Sequence, residues 1–279
     1  MSFKNVSGKT RWALFAAMLL SLSLGTLLSR TIEDASGMEK NPKPEDVVER
    51  TIQAYGSRSG LYAVQRNGTL RALVKFISGD SAREGKTVTK FIRKDKIKDD
   101  LRIVELELPG TRYILGFDGK ETWNIHDGEI QKPSEEVAKG FYTAHAHGYE
   151  SLLRYKETEA KLEYVANTKL GNLEMDVIDL VLPDGIRTRY EVSRKSGRIL
   201  YLNYEEKVAG QAEPSKYRLY FKDFRVIQNT LIPFMTMVYQ DGKLIEERKI
   251  VEAVFNVQLK DDAFKAENAN KPTEAAAKQ

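Results

Sequence analysis

Residues 101–126 constrain the fold more than any other part of the chain, because they encode consecutive β-strands with almost no interruption. The first eight residues alternate with a period of two, which is typical of a strand with one buried face. One face carries both glutamates and the other is wholly apolar: Ile103, Glu105 and Glu107 against Val104, Leu106 and Leu108. The Pro109-Gly110 dipeptide ends this strand, so we expect the next one to run back beside it.

The second half of the same segment indicates a hairpin. Tyr113, Leu115 and Phe117 form an apolar row with strand spacing, and Trp123 lies on the returning strand. Asp118-Gly119 is a dipeptide that two-residue hairpin turns favour. The pattern predicts a hairpin with its bulky apolar side chains, Trp123 included, on one face.

Similar strand patterns fill most of the chain. They are separated by turn dipeptides and short polar loops, which force neighbouring strands to be antiparallel. The predicted strands span residues 70–77, 87–93, 101–108, 111–117, 121–124, 161–169, 173–182, 186–193, 199–206, 216–224, 231–240 and 244–254. About a dozen strands in one flat sheet would expose long edges and a large apolar face, so we expect strong curling or closure into a barrel.

Two segments have helical patterns instead. Residues 45–55 place acids in the first turn and apolar residues on one side, and residues 137–155 are rich in aromatics with a break near Gly148. We therefore predict a mainly β (α+β) domain over residues 44–265, with a few helices covering the sheet. Residues 31–43 are expected to be a linker and residues 266–279 a flexible tail.

The N-terminus indicates export. Residues 12–28 are mostly apolar and follow three basic residues, which fits either a signal peptide or a short membrane anchor. Both alternatives stay open, and in both the domain is expected in the periplasm, soluble after cleavage or anchored by residues 12–28.

The basic composition comes from the N-terminal segment alone. Four of the 44 Lys and Arg residues lie in residues 1–30, which contain no Asp or Glu, so 40 residues of each sign remain. A neutral body argues against nucleic acid as the partner. We interpret the local charge run at 93–100 as a solvated loop.

Catalytic signatures are missing from the sequence. The chain has no cysteine, no nucleophile elbow and no phosphate-binding loop, so we expect neither an enzyme nor a cofactor. His145 and His147 could hold a metal ion, but no third ligand is indicated by spacing, and an exposed polar loop is the simpler interpretation. An apolar ligand would need no polar motif, and the interior of a curled sheet is a frequent place for one. The candidate cavity wall is Tyr113, Leu115, Phe117, Trp123, Leu219 and Phe221, and the candidate lid residues are Phe141 and Tyr142.

The chain resembles the outer-membrane lipoprotein-sorting (LolA/LolB-like) superfamily from residue 45 to residue 264. The resemblance rests on the leading helix and on short pieces: FDGKETW at 117–123, YFKDFR at 220–225, LIP at 231–233 and FNVQLKDDAF at 255–264. It implies a curved antiparallel sheet that forms an incomplete barrel, with helices as a lid over an apolar cavity. It also implies lipid or an acylated lipoprotein as the ligand, and lipid or lipoprotein trafficking as the role.

We therefore expect a non-enzymatic envelope protein that binds an apolar ligand inside a curved sheet. The alternative is a membrane-anchored sensor or interaction module that uses the same fold to bind an envelope protein partner. Retention of residues 12–28 would favour this alternative, because a shuttling carrier must leave the membrane.

Overall fold

A computed structural model of the chain describes residues 41–207 and 212–269. The predicted signal or anchor at residues 1–30, most of the linker and the end of the tail lie outside these residues. The helices are α1 (Pro44–Tyr55), α2 (Arg58–Val64), α3 (Glu135–Ala146), α4 (Tyr149–Leu153) and α5 (Ala266–Ala269).

Thirteen strands form one sheet in the described residues. They are β1 (Asn67–Ser78), β2 (Ser81–Ile92), β3 (Leu101–Leu108), β4 (Thr111–Phe117), β5 (Thr122–His126), β6 (Glu129–Gln131), β7 (Lys161–Leu170), β8 (Leu173–Val181), β9 (Arg187–Ser193), β10 (Ile199–Glu206), β11 (Ser215–Ile227), β12 (Thr230–Gln240) and β13 (Lys243–Phe255).

The sheet is antiparallel throughout and is not closed into a barrel. Its strand order is β6-β5-β4-β3-β2-β1-β13-β12-β11-β10-β9-β8-β7, so β6 and β7 are the two free edges. The pairing of β1 with β13 joins two meanders, one on each side of the helical segment that holds α3 and α4. The predicted curved, open antiparallel sheet with few helices is confirmed, and closure into a full barrel does not occur.

Strand β6 is one element that the sequence analysis missed. Residues Asp127 and Gly128, which follow the predicted strand 121–124, both have positive φ angles and connect β5 to β6 in a tight turn. Two consecutive residues with positive φ are what a type I′ hairpin turn requires, and Asp-Gly is a favoured sequence for it. The dipeptide therefore continues the sheet by one short strand.

The main core lies between the sheet and helices α1 and α4. We call the sheet face beneath these helices the inner face and the other the outer face. On α1, Val47, Val48, Ile52 and Tyr55 are all buried, as the amphipathic pattern of this helix predicts. They pack against inner-face residues of β8 to β12, which include Ile178, Tyr190, Leu202 and Phe221.

A second core lies on the outer face and is closed by the C-terminal segment. Phe264 is fully buried and Ala266 nearly so, and both pack onto apolar residues of β2 to β5. The ordered fold therefore continues past residue 265, where a flexible tail was predicted, because Ala266–Ala269 forms the short helix α5 against this core.

Candidate functional site

A cavity of about 160 Å³ lies under helix α3, on the inner face of the sheet. Its walls come from the loop between β2 and β3, the first residues of β3, the end of β4, the start of β5, and α3. The residues that line it are Ile97, Lys98, Asp100, Arg102, Phe117, Thr122, Phe141, Tyr142 and His145.

Strand register brings the sheet residues of the cavity together. Arg102 pairs with Phe117, and Phe117 pairs with Thr122, so the three side chains lie side by side on one face. The apolar row continues away from the cavity, because Val104 pairs with Leu115 and both are half-buried.

Helix α3 begins at Glu135, two residues before the predicted helical segment 137–155, and presents three residues to the cavity. The hydroxyl of Ser134 accepts a hydrogen bond from the backbone N–H of Val137, which caps the helix. Phe141 and His145 are four residues apart and therefore share one face of the helix, with Tyr142 beside them.

A buried carboxylate anchors the loop that forms one wall. Both oxygens of Asp100 are occupied: one accepts from the backbone N–H of Lys94 (2.7 Å) and from Arg154, and the other accepts from Arg154 (2.6 Å) and contacts His145 Nε2 (2.9 Å). Burial alone would raise the pKa of Asp100, but the His145 and Arg154 contacts outweigh it and lower the pKa. The predicted solvated loop at 93–100 is therefore wrong for Asp100, whose side chain is 1% exposed.

Helix α3 is also tied to the opposite half of the sheet. The Tyr142 hydroxyl donates to Asp184 Oδ2 (2.5 Å), and the Thr143 hydroxyl donates to Glu206 Oε1 (2.7 Å). Burial, and then Asp184, raise the pKa of Tyr142, so this phenol stays a donor at neutral pH. Together with the His145–Asp100 contact, these bonds hold α3 across the space between the two halves of the sheet.

Each imidazole of the His-Ala-His sequence has its own protein partner. His147 Nδ1 lies 2.7 Å from the Thr188 hydroxyl, and its ring stacks on Tyr204 at a centroid distance of 3.8 Å. Burial lowers the pKa of His147 to about 4 and also lowers that of His145. Within the described part of the chain, no group of three or more His, Cys, Asp or Glu residues is arranged to hold a metal ion.

The structure brings some of the predicted wall and lid residues together and separates others. Phe117, Phe141 and Tyr142 line the same cavity, while Leu115 and Tyr113 follow Phe117 along the inner face of β4. The remaining inner-face candidates lie elsewhere in the sheet. Phe221 is buried in the main core against Tyr149, with ring centroids 5.7 Å apart, and half-buried Leu219 packs against the same core.

Trp123 lies on the outer face, so its predicted place in the cavity wall is corrected. It pairs with Gly116, whereas Phe117 pairs with Thr122, so Trp123 shares a face with Gly116 and Ile114. Its ring covers Gly116, where any Cβ would lie 2.3 Å from the indole, and its Nε1 donates to the Phe264 carbonyl (2.9 Å). The turn also differs from the predicted one: it spans residues 118–121, and the Asp118 carboxylate accepts from two of its backbone N–H groups.

The charged residues of the cavity were missed by the sequence analysis. Arg102 occupies an even position of β3 with Val104 and Leu106, so the alternation alone places its side chain on the inner face. The contact between Asp100 and Arg154 spans 54 residues in sequence, and no local pattern could have indicated it.

The fold, a curved, open antiparallel sheet with helices over its inner face, is similar to that of several solved proteins. The chain superposes on a DUF1329 family protein from Desulfovibrio piger with a TM-score of 0.55 at 14% identity, covering 80% of this chain and 98% of that one. It superposes on a domain named for outer membrane lipoprotein sorting from Vibrio parahaemolyticus with a TM-score of 0.56 at 10% identity, covering 82% and 100%. For a LolA superfamily protein from Nitrosomonas europaea the TM-score is 0.52 at 11% identity, covering 80% and 98%.

These similarities confirm the predicted resemblance at the level of the fold. Comparison of the sequence with protein-family models gave no match, and comparison with curated proteins gave none. In the two described ranges, 41–207 and 212–269, no helix is long and apolar enough to cross a membrane.

Proposed function

We propose that this protein is a non-enzymatic binding protein of the bacterial envelope, located in the periplasm, that holds lipid or the acyl chains of a lipoprotein. The observation that carries the proposal is the cavity under α3, where Phe117 of the sheet faces Phe141 and Tyr142 of the helix. Two solved structures of similar fold, one named as an outer membrane lipoprotein-sorting domain and one as a LolA superfamily protein, support the same class of ligand.

The volume of the cavity is large enough for one end of a ligand but not for a whole lipid. Its volume of about 160 Å³ is close to that of an engineered cavity of about 150 Å³ that binds benzene. A longer chain would continue along the half-buried row of Leu115 and Tyr113, which runs four residues from Phe117, or about 14 Å at about 3.4 Å per residue. Each methylene buried there contributes about 0.8 kcal/mol, so an acyl chain binds without a polar motif.

Lipid extraction from the purified full-length chain, followed by mass spectrometry, tests this proposal. We expect co-purified lipid with the wild-type chain and several-fold less with Phe141→Ala, because the substitution removes the aromatic wall on α3. Val137→Ala is the matched control, since Val137 is exposed on the same helix. Absence of lipid from the wild type, or equal loss in both variants, would contradict the proposal.

The alternative function, a sensor or interaction module for an envelope protein, is favoured by the free edge at β7. No described strand pairs with the outer side of β7, and the exposed apolar side chains Val165 and Leu170 lie on this strand. Such an edge can accept a strand from another protein. N-terminal sequencing of the mature protein separates the two functions, because a retained segment 12–28 fits an anchored module and a cleaved one fits a carrier.

A further inference from the structure

Arg102 is the one arginine among the described residues that line the cavity, and no described acid forms an ion pair with it. Among the described residues, no ion pair and no side-chain hydrogen bond involves its guanidinium, which only lies over the ring of Phe141, 5.7 Å from the centroid. By contrast, Arg154 is paired with Asp100, and Arg93 is paired with Glu150. A half-buried cation without a counterion is costly, so its retention in an aromatic cavity calls for an explanation.

The two acids whose charges favour the Arg102 cation, Glu150 and Asp100, are each bonded to other groups. Both oxygens of Asp100 are occupied by Arg154, His145 and the Lys94 backbone, and Glu150 is bonded to Arg93 at 3.4 Å. Burial lowers the pKa of Arg102 to about 10; the charge of Arg248 also lowers it, while the charges of Glu150 and Asp100 raise it. At neutral pH the guanidinium therefore remains a full cation that faces the cavity.

The residues beside Arg102 indicate what kind of molecule could carry an anionic group to it. One step further along the strands, the inner face is apolar, with Val104 and Leu115 both half-buried, and Leu106 and Tyr113 follow. A small hydrophilic anion would leave this row uncovered, and a neutral lipid would leave the guanidinium unpaired. A molecule with an anionic group at one end and an apolar chain at the other would pair with the guanidinium and also cover the apolar row.

We infer that Arg102 binds the anionic headgroup of a single-chain amphiphile, a carboxylate or a phosphate monoester, whose chain lies along the inner face of β3 and β4. The inference rests on the proposed function and adds the chemical class of the ligand. The planar guanidinium matches both anions, because its two parallel N–H groups can bond two oxygens at once.

Calorimetric titration of the full-length chain with three ligands of equal chain length tests the inference. Decanoic acid, decyl phosphate and decanol are each titrated below the concentration at which they form micelles. We expect the two acids to bind the wild type at least tenfold more tightly than decanol. Arg102→Met keeps the length of the side chain without its charge, so it should abolish this preference and leave the affinity for decanol unchanged.

Two further variants make the result specific to the guanidinium. Arg112→Met is the matched control, because Arg112 is an exposed arginine on the neighbouring strand that pairs with Glu105; it should keep the wild-type preference. Arg102→Lys keeps the charge but loses the planar pair of donors, so the preference should decrease and remain above one. This variant also serves if Arg102→Met does not fold.

The possible failures are distinguishable. If Arg102→Met weakens all three ligands equally, Arg102 is an apolar wall residue, and the headgroup inference fails while the proposed function stands. Inorganic phosphate is titrated as a fourth ligand; if it binds as tightly as decyl phosphate, the site takes a free anion, and the inference is again overturned. If no ligand binds the wild type, the proposed function itself fails.

Discussion

At the scale of single residues, His147, the buried residue that caps the C-terminus of α3, makes stability depend on pH. The pKa of His147 is about 4 in the folded chain and about 6.5 when unfolded. Between these values the unfolded chain takes up a proton that the folded chain does not, so the free energy of unfolding falls as the pH decreases. The loss is complete near pH 4 and amounts to at most about 3 kcal/mol.

His147→Gln should therefore flatten the pH profile of stability between pH 7 and pH 4. Denaturant unfolding at a series of pH values, followed through Trp123 fluorescence, measures this slope directly. Glutamine keeps a polar group beside Thr188, so the variant is expected to fold. A wild-type profile that is flat over this range, or one that the substitution leaves unchanged, would contradict the assignment of a buried neutral imidazole.

Asp100 offers a sharper test with an adjacent control. Asp100→Asn leaves the Arg154 side chain, which is only 6% exposed, with the partly exposed Glu157 as its remaining acidic partner, and should lower the free energy of unfolding by up to about 3–5 kcal/mol. Asp99→Asn, one exposed residue earlier, should change it by less than about 0.5 kcal/mol. Chemical denaturation of both variants gives the comparison, and similar effects at the two positions would show that the ion pair does not anchor the loop.

The position of Trp123 shows how far residue-level reasoning could have gone. A hairpin loop with an even number of residues pairs odd-numbered residues with even-numbered ones, as Phe117 with Thr122 and Gly116 with Trp123. Counting alone therefore separates Trp123 from Tyr113, Leu115 and Phe117, whichever even loop length is assumed. The error was one of register, since the turn dipeptide and the strands themselves were present in the sequence.

At the scale of elements, α3 is the part of the fold on which the cavity depends. It is the helix that forms one wall, and hydrogen bonds fix it at one end of the sheet through Asp100 and at the other through Asp184 and Glu206. The sequence predicted a helical insertion with a break near Gly148, and α3 and α4 on either side of this residue confirm it. Its partners could not be predicted, because every one of these contacts joins residues at least 42 positions apart.

The C-terminal segment is a second element that can be tested on its own, because it closes the outer-face core and does not line the cavity. Phe264→Ala should destabilise the fold by about 3–5 kcal/mol, because it removes a fully buried ring from the outer-face core. It should also shift Trp123 emission to longer wavelength, since the indole packs in the same core. Lys265→Ala, at the exposed neighbouring position, should do neither. If Phe264→Ala left both stability and emission unchanged, the outer-face core would be wrongly described.

At the scale of the whole molecule, strand alternation and turn chemistry determined the architecture. All twelve predicted strands are present, and short links made their antiparallel order predictable. The sequence predicted the helical insertion between the strands, but it did not reveal that the two meanders are joined through β1 and β13, because that pairing spans most of the chain. It is this long-range pairing that leaves β6 and β7 as free edges and the inner face available to helices.

The most direct test of the account is to locate a bound lipid on the chain. A palmitic acid analogue with a diazirine in its chain is bound to the full-length protein and activated by light, and the labelled peptides are mapped by mass spectrometry. We predict labels on β3, β4 and α3, at inner-face residues such as Leu115 and Phe141, and none near Trp123 or Phe264. Labels confined to the outer face, or no label at all, would contradict the claim that the cavity under α3 holds an apolar ligand.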